Sequence, residues 1–147
     1  MLKIESEVVK ANYSSAEVFR VLSDLRNLEL LKDKVPQDKI SDLKFDRDTC
    51  QFNVSPLGAP MTVGVKIVER EECKTVKFGA DGSPVDFNFW IQMKEVGDND
   101  TRIKLTVKSD MNMFLEGMIK PKLQPMLDKL AGVLASLPYR NFPEINH

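Results

Sequence analysis

The chain ends in one long amphipathic segment, and this segment limits the folds that the sequence can adopt. Seven candidate strands precede it, the last six closely spaced, and apolar residues then recur at helical spacing from Met113 to Leu137. We expect a terminal helix that packs along an antiparallel sheet, because an apolar stripe needs a surface that covers it. The positions of the stripe are Leu123, Met126, Leu127, Leu130, Val133, Leu134 and Leu137.

Two prolines lie in the first part of this helix. Pro121 is acceptable in a first turn, but Pro125 would clash with the carbonyl of Pro121 in one regular helix. The sequence therefore predicts a bend or a restart between Gly117 and Pro125, and a helix end at Pro138. Residues 138–147 contain Tyr139, Phe142 and Ile145 and are expected either to pack on the surface or to be loosely ordered.

The alternation of apolar and polar residues predicts seven strands. The first runs from Leu2 to Val8, and Ser14 with Glu17 forms a capping box that begins the first of two short helices. Turn residues separate the six strands that follow, as in an antiparallel meander. These strands are predicted at 40–45, 50–54, 61–68, 75–80, 85–96 and 101–111.

The apolar phase of each strand defines a face that we expect to point inward. Only Ser6 and Ser109 carry a hydroxyl on it, and these two either share a polar spot or each bond a backbone carbonyl. The inward set is Leu2, Ile4, Ser6, Val8, Cys50, Phe52, Val54, Met61, Val63, Val65, Ile67, Val76, Phe78, Val85, Phe87, Phe89, Ile91, Met93, Ile103, Leu105, Val107, Ser109 and Met111.

Length and composition point to one domain, residues 1–147, in the cytoplasm. The 21 basic and 22 acidic residues leave a net charge of −1, which argues against a nucleic-acid partner. No apolar stretch is long enough for stable membrane insertion, and the N-terminus lacks a secretory signal pattern. Cys50 and Cys73 are predicted to be reduced thiols.

The inward positions of the strands carry no acid, base, amide or histidine. General acid–base catalysis needs a titratable group near the reacting atom, and a nucleophile needs an activating base. The single histidine is His147, and neither cysteine has a neighbouring ligand at metal-binding spacing. We therefore predict no catalytic residue, no metal and no cofactor, and favour a binding protein over an enzyme.

The order strand, two helices, six strands and long helix resembles that of the SRPBCC superfamily. This group includes START lipid-transfer domains, pollen-allergen-like proteins, polyketide cyclases and ubiquinone-binding proteins. The resemblance covers Leu2 to about Leu137, and it also rests on the segment from Val8 to Phe19 and on the run Pro-Met-Leu-Asp-Lys-Leu at 125–130. It implies an α+β helix-grip fold, with a curved antiparallel sheet gripping the terminal helix.

In many members of this superfamily, a cavity between the sheet and the helix holds an apolar ligand. For this chain the resemblance implies a small hydrophobic ligand such as a lipid, a quinone or a polyketide-like compound. An empty cavity of about 300 Å³ would cost roughly 7 kcal/mol, so a large permanent void is not expected. The residues predicted to line the cavity are Phe52, Val54, Met61, Val63, Phe87, Phe89, Ile91, Leu105, Val107, Ser109, Met111, Phe114, Met118, Met126, Leu127 and Leu130.

The ligand is expected to enter beside the first turns of the terminal helix. Gly117, Pro121 and Pro125 weaken this end, so that it should open more easily than the rest of the helix. The predicted mouth consists of Leu28, Leu30, Leu31, the turn from Pro56 to Pro60, Met113, Phe114 and Met118.

Two further functions are alternatives to a carrier. A cyclase or dehydratase could act by folding a reactive polyketide-like substrate in a shaped pocket, which requires positioning rather than an acid or base. A protein-interaction module with a vestigial cavity could use Trp90. Trp90 and Val68 are apolar residues among the otherwise polar outward positions of the strands. Trp90 either anchors a partner or a homodimer, or is covered by Tyr139 or Phe142.

Overall fold

The computed structural model describes residues 2–30, 40–55, 58, 60–83 and 85–142. Its strands are β1 (Leu2–Glu5), β2 (Val9–Ala11), β3 (Ser41–Phe45), β4 (Thr49–Val54), β5 (Met61–Glu71), β6 (Thr75–Ala80), β7 (Asn88–Gly97) and β8 (Asp100–Ser109). Its α-helices are α1 (Ser15–Leu22) and α2 (Met113–Ala135), and 3₁₀ helices cover Leu25–Leu30 and Tyr139–Asn141.

All strands belong to one antiparallel sheet with the order β1-β8-β7-β6-β5-β4-β3, and β2 also pairs with β8. Strands β3 to β8 form a meander of consecutive hairpins. The beginning of the chain extends the sheet, because β1 and β2 pair with β8, its last strand. One short α-helix and one 3₁₀ helix follow the first strands, and α2 packs against β1, β2 and β8. The predicted α+β helix-grip architecture is confirmed.

The prediction of one continuous strand from Leu2 to Val8 is wrong after Glu5, where β1 ends. Glu5 lies opposite Thr106 and Val9 lies opposite Ile103, so β1 and β2 together contain one residue more than the matching part of β8. The Ser6 hydroxyl accepts a hydrogen bond from the Leu105 amide at 2.9 Å, in the place of a backbone carbonyl. This bulge reverses the side-chain phase. Val8, which we expected to point inward, is 61% exposed.

Capping residues fix the beginning of both α-helices. The Ser14 hydroxyl accepts from the amide of Glu17, as the capping box predicts, and α1 buries Val18, Val21 and Leu22. The Asn112 side chain accepts from the amide of Leu115 at 2.9 Å.

The predicted restart inside the terminal helix is wrong, because α2 stays helical through Pro121 and Pro125. Both prolines are exposed, so their rings occupy solvent rather than the packed side, and the backbone carbonyls near them can turn toward water. None of the described helices combines the length and the apolar character that a membrane crossing requires.

The segment after α2 is part of the core as far as Phe142. Tyr139 is 0% exposed, and its hydroxyl donates to the carbonyl of Leu134 at 2.5 Å. The Arg20 guanidinium donates to the carbonyls of Tyr139 and Phe142, which ties this segment to α1. Residues 143–147, which include Ile145 and His147, lie outside the described residues.

Candidate ligand-binding cleft

Backbone pairing places the predicted inward side chains on one face of the sheet. Directly opposed residues of antiparallel strands share a face, and the ladder runs through alternate apolar positions of every strand. For the predicted residues within the paired strands this part of the prediction is confirmed, and Val8 contradicts it. Val85, Phe87 and Met111 lie outside the strands, so pairing does not test them. Representative opposed pairs are Val54 with Met61, Phe52 with Val63, Ile67 with Phe78, Phe89 with Val107, and Ile91 with Leu105.

One part of this inner face is closed by α1 and by the second half of α2. Its side chains are almost entirely removed from solvent, with Val76, Ile103 and Leu105 each 0% exposed. From the helices, Val18, Val21, Leu127, Ala131 and Leu134 complete the same cluster. We call this cluster the closed core.

Most side chains on the rest of the inner face are half-buried, although Cys50 and Val63 among them are buried. Helix α2 packs against β1, β2 and β8, whereas β4 and β5 on the far side of the sheet contribute half-buried apolar side chains. We call this region the open cleft and define it by Phe52, Val54, Met61, Val65, Phe87, Phe89, Val107 and Met111, all of which are half-buried. Leu31 and most of the 56–60 turn, which the sequence places at the mouth, lie outside the described residues.

The first turns of α2 leave large apolar side chains exposed. Met113 is 85% exposed, Phe114 is 76% exposed and Met118 is 41% exposed. Met118 lies nine residues before the buried Leu127, and at about 100° per residue this places it on the opposite side of a regular helix. These residues therefore border solvent in the structure, and their predicted contact with a ligand stays a prediction.

The predicted lining residues fall into three groups of exposure. Five are buried: Val63, Ile91, Leu105, Ser109 and Leu127. Eight are half-buried: Phe52, Val54, Met61, Phe87, Phe89, Val107, Met111 and Met126. Three are exposed: Phe114, Met118 and Leu130. The structure thus brings the sheet residues together on one face but does not place the first turns of α2 against them.

Solved structures share this arrangement of a sheet and a long terminal helix. A START superfamily protein from Mycobacterium smegmatis aligns with a TM-score of 0.62 and 9% identity over 90% of this chain and 96% of that chain. The protein Ara h 8.0201 aligns with a TM-score of 0.56 and 17% identity over 92% of this chain and 98% of that chain. This chain has a START-like fold.

An enzyme structure also shows the START-like fold. Norcoclaurine synthase from Thalictrum flavum, in complex with dopamine and hydroxybenzaldehyde, aligns with a TM-score of 0.72. It is 14% identical, and the alignment covers 96% of this chain and 88% of that chain. No protein-family model and no curated protein matches the sequence.

The two inward serines do not meet in this START-like fold. Ser6 donates its hydroxyl to the carbonyl of Glu7, and Ser109 donates to the carbonyl of Asp86 at 2.6 Å. Ser6 lies beside Leu105, four residues along β8 from Ser109, which is about 13 Å in a strand. Each hydroxyl therefore bonds a backbone carbonyl, and no shared polar spot forms.

Cys50 is the thiol on the inner face, and its environment opposes reactivity. It is 7% exposed, and burial raises the pKa of this thiol to about 11. The thiolate is the nucleophilic form of cysteine, so at neutral pH Cys50 is protonated and inert. Both cysteines are free, and no group of three or more metal-ligating side chains occurs within the described part of the chain.

A buried amide was missed by the sequence reasoning. Asn27, in the 3₁₀ helix after α1, is 5% exposed and donates to the carbonyl of Val21 at 3.0 Å. Its Oδ1 is the buried side-chain atom that lacks a partner among the described residues. An unpaired buried acceptor costs about 1–3 kcal/mol. The sequence offered no signal for this, because asparagine at this position also fits the beginning of a helix.

A polar pocket lies apart from the open cleft. It has a volume of about 240 Å³ and shares no residue with the predicted lining set. The turn after β6 folds over Gly64, where Ser83 bonds both the amide and the carbonyl, and an added Cβ would lie 1.9 Å from the Asp81 carbonyl oxygen. The pocket is lined by Lys44, Phe45, Asp46, Thr49, Cys50, Gln51, Gly64 and Asp81.

Proposed function

We propose that the protein binds a small hydrophobic ligand, such as a lipid, quinone or polyketide-like compound, in the open cleft beside α2. The observation that supports this most is the row of half-buried apolar side chains on an otherwise packed inner face. Covering about 300 Å² of apolar surface contributes roughly 7 kcal/mol before the costs of association. Modest affinity and loose selectivity are expected, because hydrocarbon surfaces offer few directional contacts.

The chemistry of the described inner face favours binding without catalysis. Its buried polar groups are Ser6, Ser109 and Thr101, whose hydroxyls already donate to backbone carbonyls, and the protonated Cys50. Two charged residues in register with this face, Arg70 and Glu95, are exposed and bond the Ser23 carbonyl and the Ser15 amide. None of the buried groups is an activated nucleophile or a general base. The START superfamily and Ara h 8.0201 structures support a binding role through fold similarity.

A positioning enzyme is the second candidate, and the similarity to norcoclaurine synthase favours it. Such an enzyme would accelerate a reaction by holding reactive groups together. If an activity is found, Ser109→Ala removes the inward hydroxyl that the bulge does not require. An unchanged rate in this variant would exclude the Ser109 hydroxyl from the mechanism.

The ligand itself can be identified from protein purified from its own host. Native mass spectrometry should show an added mass that organic extraction removes. A panel of lipids and quinones should then raise the melting temperature of the stripped protein. Neither an added mass nor a thermal shift with any compound would contradict the proposal.

A matched pair of variants locates the binding site. Val54→Lys places a charge in the open cleft, whereas Val96→Lys makes the same change at a position that is 53% exposed at the end of β7. Burying an unpaired charge beside an apolar ligand is costly, so Val54→Lys should weaken binding about tenfold or more. Val96→Lys should leave affinity unchanged, and equal weakening in both variants would place the ligand elsewhere.

A further inference from the structure

The outer face of the sheet concentrates positive charge, although the whole chain has a net charge of −1. Residues that lie opposite one another in β1, β2 and β5 to β8 form cross-strand rows on this face. These rows contain eight lysine or arginine residues and four aspartate or glutamate residues. A surface with this balance attracts anionic partners.

Half of these cations are not neutralised by the protein itself. Glu5 pairs with Lys3 and Lys104, and Asp100 pairs with two further cations of the rows, Lys10 and Arg102. The other two acids of the rows are Glu69 and Glu71, and Glu71 pairs with Lys74 outside them. Within the described part of the chain, the lysines of the rows without a carboxylate partner are Lys66, Lys77, Lys94 and Lys108.

Two of these lysines converge on Trp90, the single tryptophan of the chain. The Lys77 ammonium lies 5.4 Å from the ring centroid of Trp90, and the Lys108 ammonium lies 5.5 Å from it. The two ammonium groups are therefore at most about 11 Å apart. Each gains from the face of the ring, but they repel one another. An anionic group between them would relieve that repulsion.

The position of Trp90 distinguishes between kinds of anionic partner. Its ring is half-buried and two ammonium groups lie within 5.5 Å of its centroid, so a partner meets the two charges rather than a projecting ring of the kind that inserts into a membrane or stacks on a nucleobase. A carboxylate of a peptide can pair with the two ammonium groups without inserting or stacking on the ring. Acidic side chains two residues apart on an extended segment are separated by about 7 Å. This distance lies within the maximum separation of about 11 Å between the two ammonium groups.

We propose that the surface formed by Lys77, Trp90 and Lys108, here named the lysine–tryptophan surface, binds an acidic segment of a partner protein. The surface lies on the side of the sheet opposite the open cleft. The proposal is therefore independent of the ligand-binding function, and either can fail without the other.

The fluorescence of Trp90 provides a direct test, since no other tryptophan contributes. The protein is titrated with a synthetic peptide that alternates Glu and Ser, and with the same peptide carrying Gln for Glu. We expect a saturable fluorescence change with the Glu peptide only, and weaker binding at high salt because the contacts are ionic. Lys77→Gln combined with Lys108→Gln should weaken binding about tenfold, because it removes two half-buried charge contacts.

A control pair removes the same charge from another surface. Lys120→Gln combined with Lys129→Gln changes two exposed lysines of α2 and should leave binding within about twofold of the unmodified protein. Equal weakening by both pairs would overturn the proposal, because it would show attraction to net charge alone. Thermal melts of both pairs establish that each remains folded.

Other occupants of the surface give distinct results. Tighter binding to phosphatidylserine vesicles or to poly(U) RNA than to the Glu peptide would overturn the proposal in favour of a membrane or a nucleic acid. Light scattering at several concentrations tests a homodimer. Self-association that is lost in the Lys77→Gln and Lys108→Gln variant would assign the surface to a second copy of this chain.

Discussion

The first half of α2 is largely exposed to solvent, whereas the second half packs against the rest of the molecule. In the second half, Leu127, Ala131 and Leu134 are at most 7% exposed and pack into the closed core. In the first half, Met113 and Phe114 are more than 75% exposed. The second half of α2 therefore stabilises the fold, and the first half leaves large apolar side chains in contact with solvent. The same division separates the closed core from the open cleft on the sheet, so stability and binding are expected to depend on different residues.

The largest expected effect compares truncations in these two regions. Leu105→Ala removes a side chain that is 0% exposed and should lower the free energy of unfolding by about 2–5 kcal/mol. Met61→Ala, in the open cleft, should cost less than about 1.5 kcal/mol because solvent already reaches the side chain. Urea denaturation measures both values. Similar losses in the two variants would show that the cleft is a filled core.

A smaller effect tests whether the Cys50 thiol on the inner face is shielded from water. Burial raises the pKa of its thiol from 9.0 to about 11, so the unfolded chain loses this proton at lower pH than the folded chain. The stabilisation is fully present below pH 9 and should be lost as the pH rises to about 11. The loss should amount to about 3 kcal/mol in urea denaturation, since each pKa unit contributes about 1.4 kcal/mol.

Two cysteine variants isolate this contribution. Cys50→Ala should show a shallower fall in stability between pH 9 and about pH 11, the interval between the pKa of the thiol in the unfolded and in the folded chain. Cys73→Ala removes the half-buried thiol in the β5–β6 turn and serves as the control for the loss of a thiol elsewhere. Equal slopes in all three proteins would mean that water reaches Cys50, and the boundary between core and cleft would have to move.

The smallest expected effect is a difference in local opening along α2. Amides of 112–122 should exchange about tenfold faster than those of 127–134, a difference of roughly 1.4 kcal/mol in opening free energy. Pro121 and Pro125 remove two backbone donors from the first half, and its apolar side chains are exposed. Hydrogen exchange followed by mass spectrometry should also show this segment slowing when ligand binds. Uniform protection along α2 in the free protein would contradict a flexible entry.

Much of the sheet could be predicted from the sequence because its signals are local. Strand β6 has the predicted bounds, and β8 differs by one residue at its beginning and two at its end. Their apolar residues alternate without interruption, so each residue reports the phase of the next. Strand β7 begins three residues after its predicted start, since Val85 and Phe87 fit the alternation but precede the ladder.

The remaining errors arise where distant residues decide the structure. The bulge after Ser6 depends on Leu105, which is 99 residues away. Tyr139 is buried because α1 supplies Arg20 and because its hydroxyl finds the Leu134 carbonyl, and neither contact appears in a local pattern. The candidate cleft was predictable as a face, whereas its coverage depends on where α2 lies, which composition and spacing do not specify.

The bulge between β1 and β2 gives the N-terminal segment one residue that the sheet can lose. Deleting one residue between Glu5 and Val9 would remove the bulge, and Val9 and Ala11 would stay opposite Ile103 and Thr101 on the inner face. Deleting two residues would instead turn Lys10 toward the core and Ala11 toward solvent. Among relatives of this chain, a shortening of this segment by one residue should therefore be tolerated and a shortening by two should not.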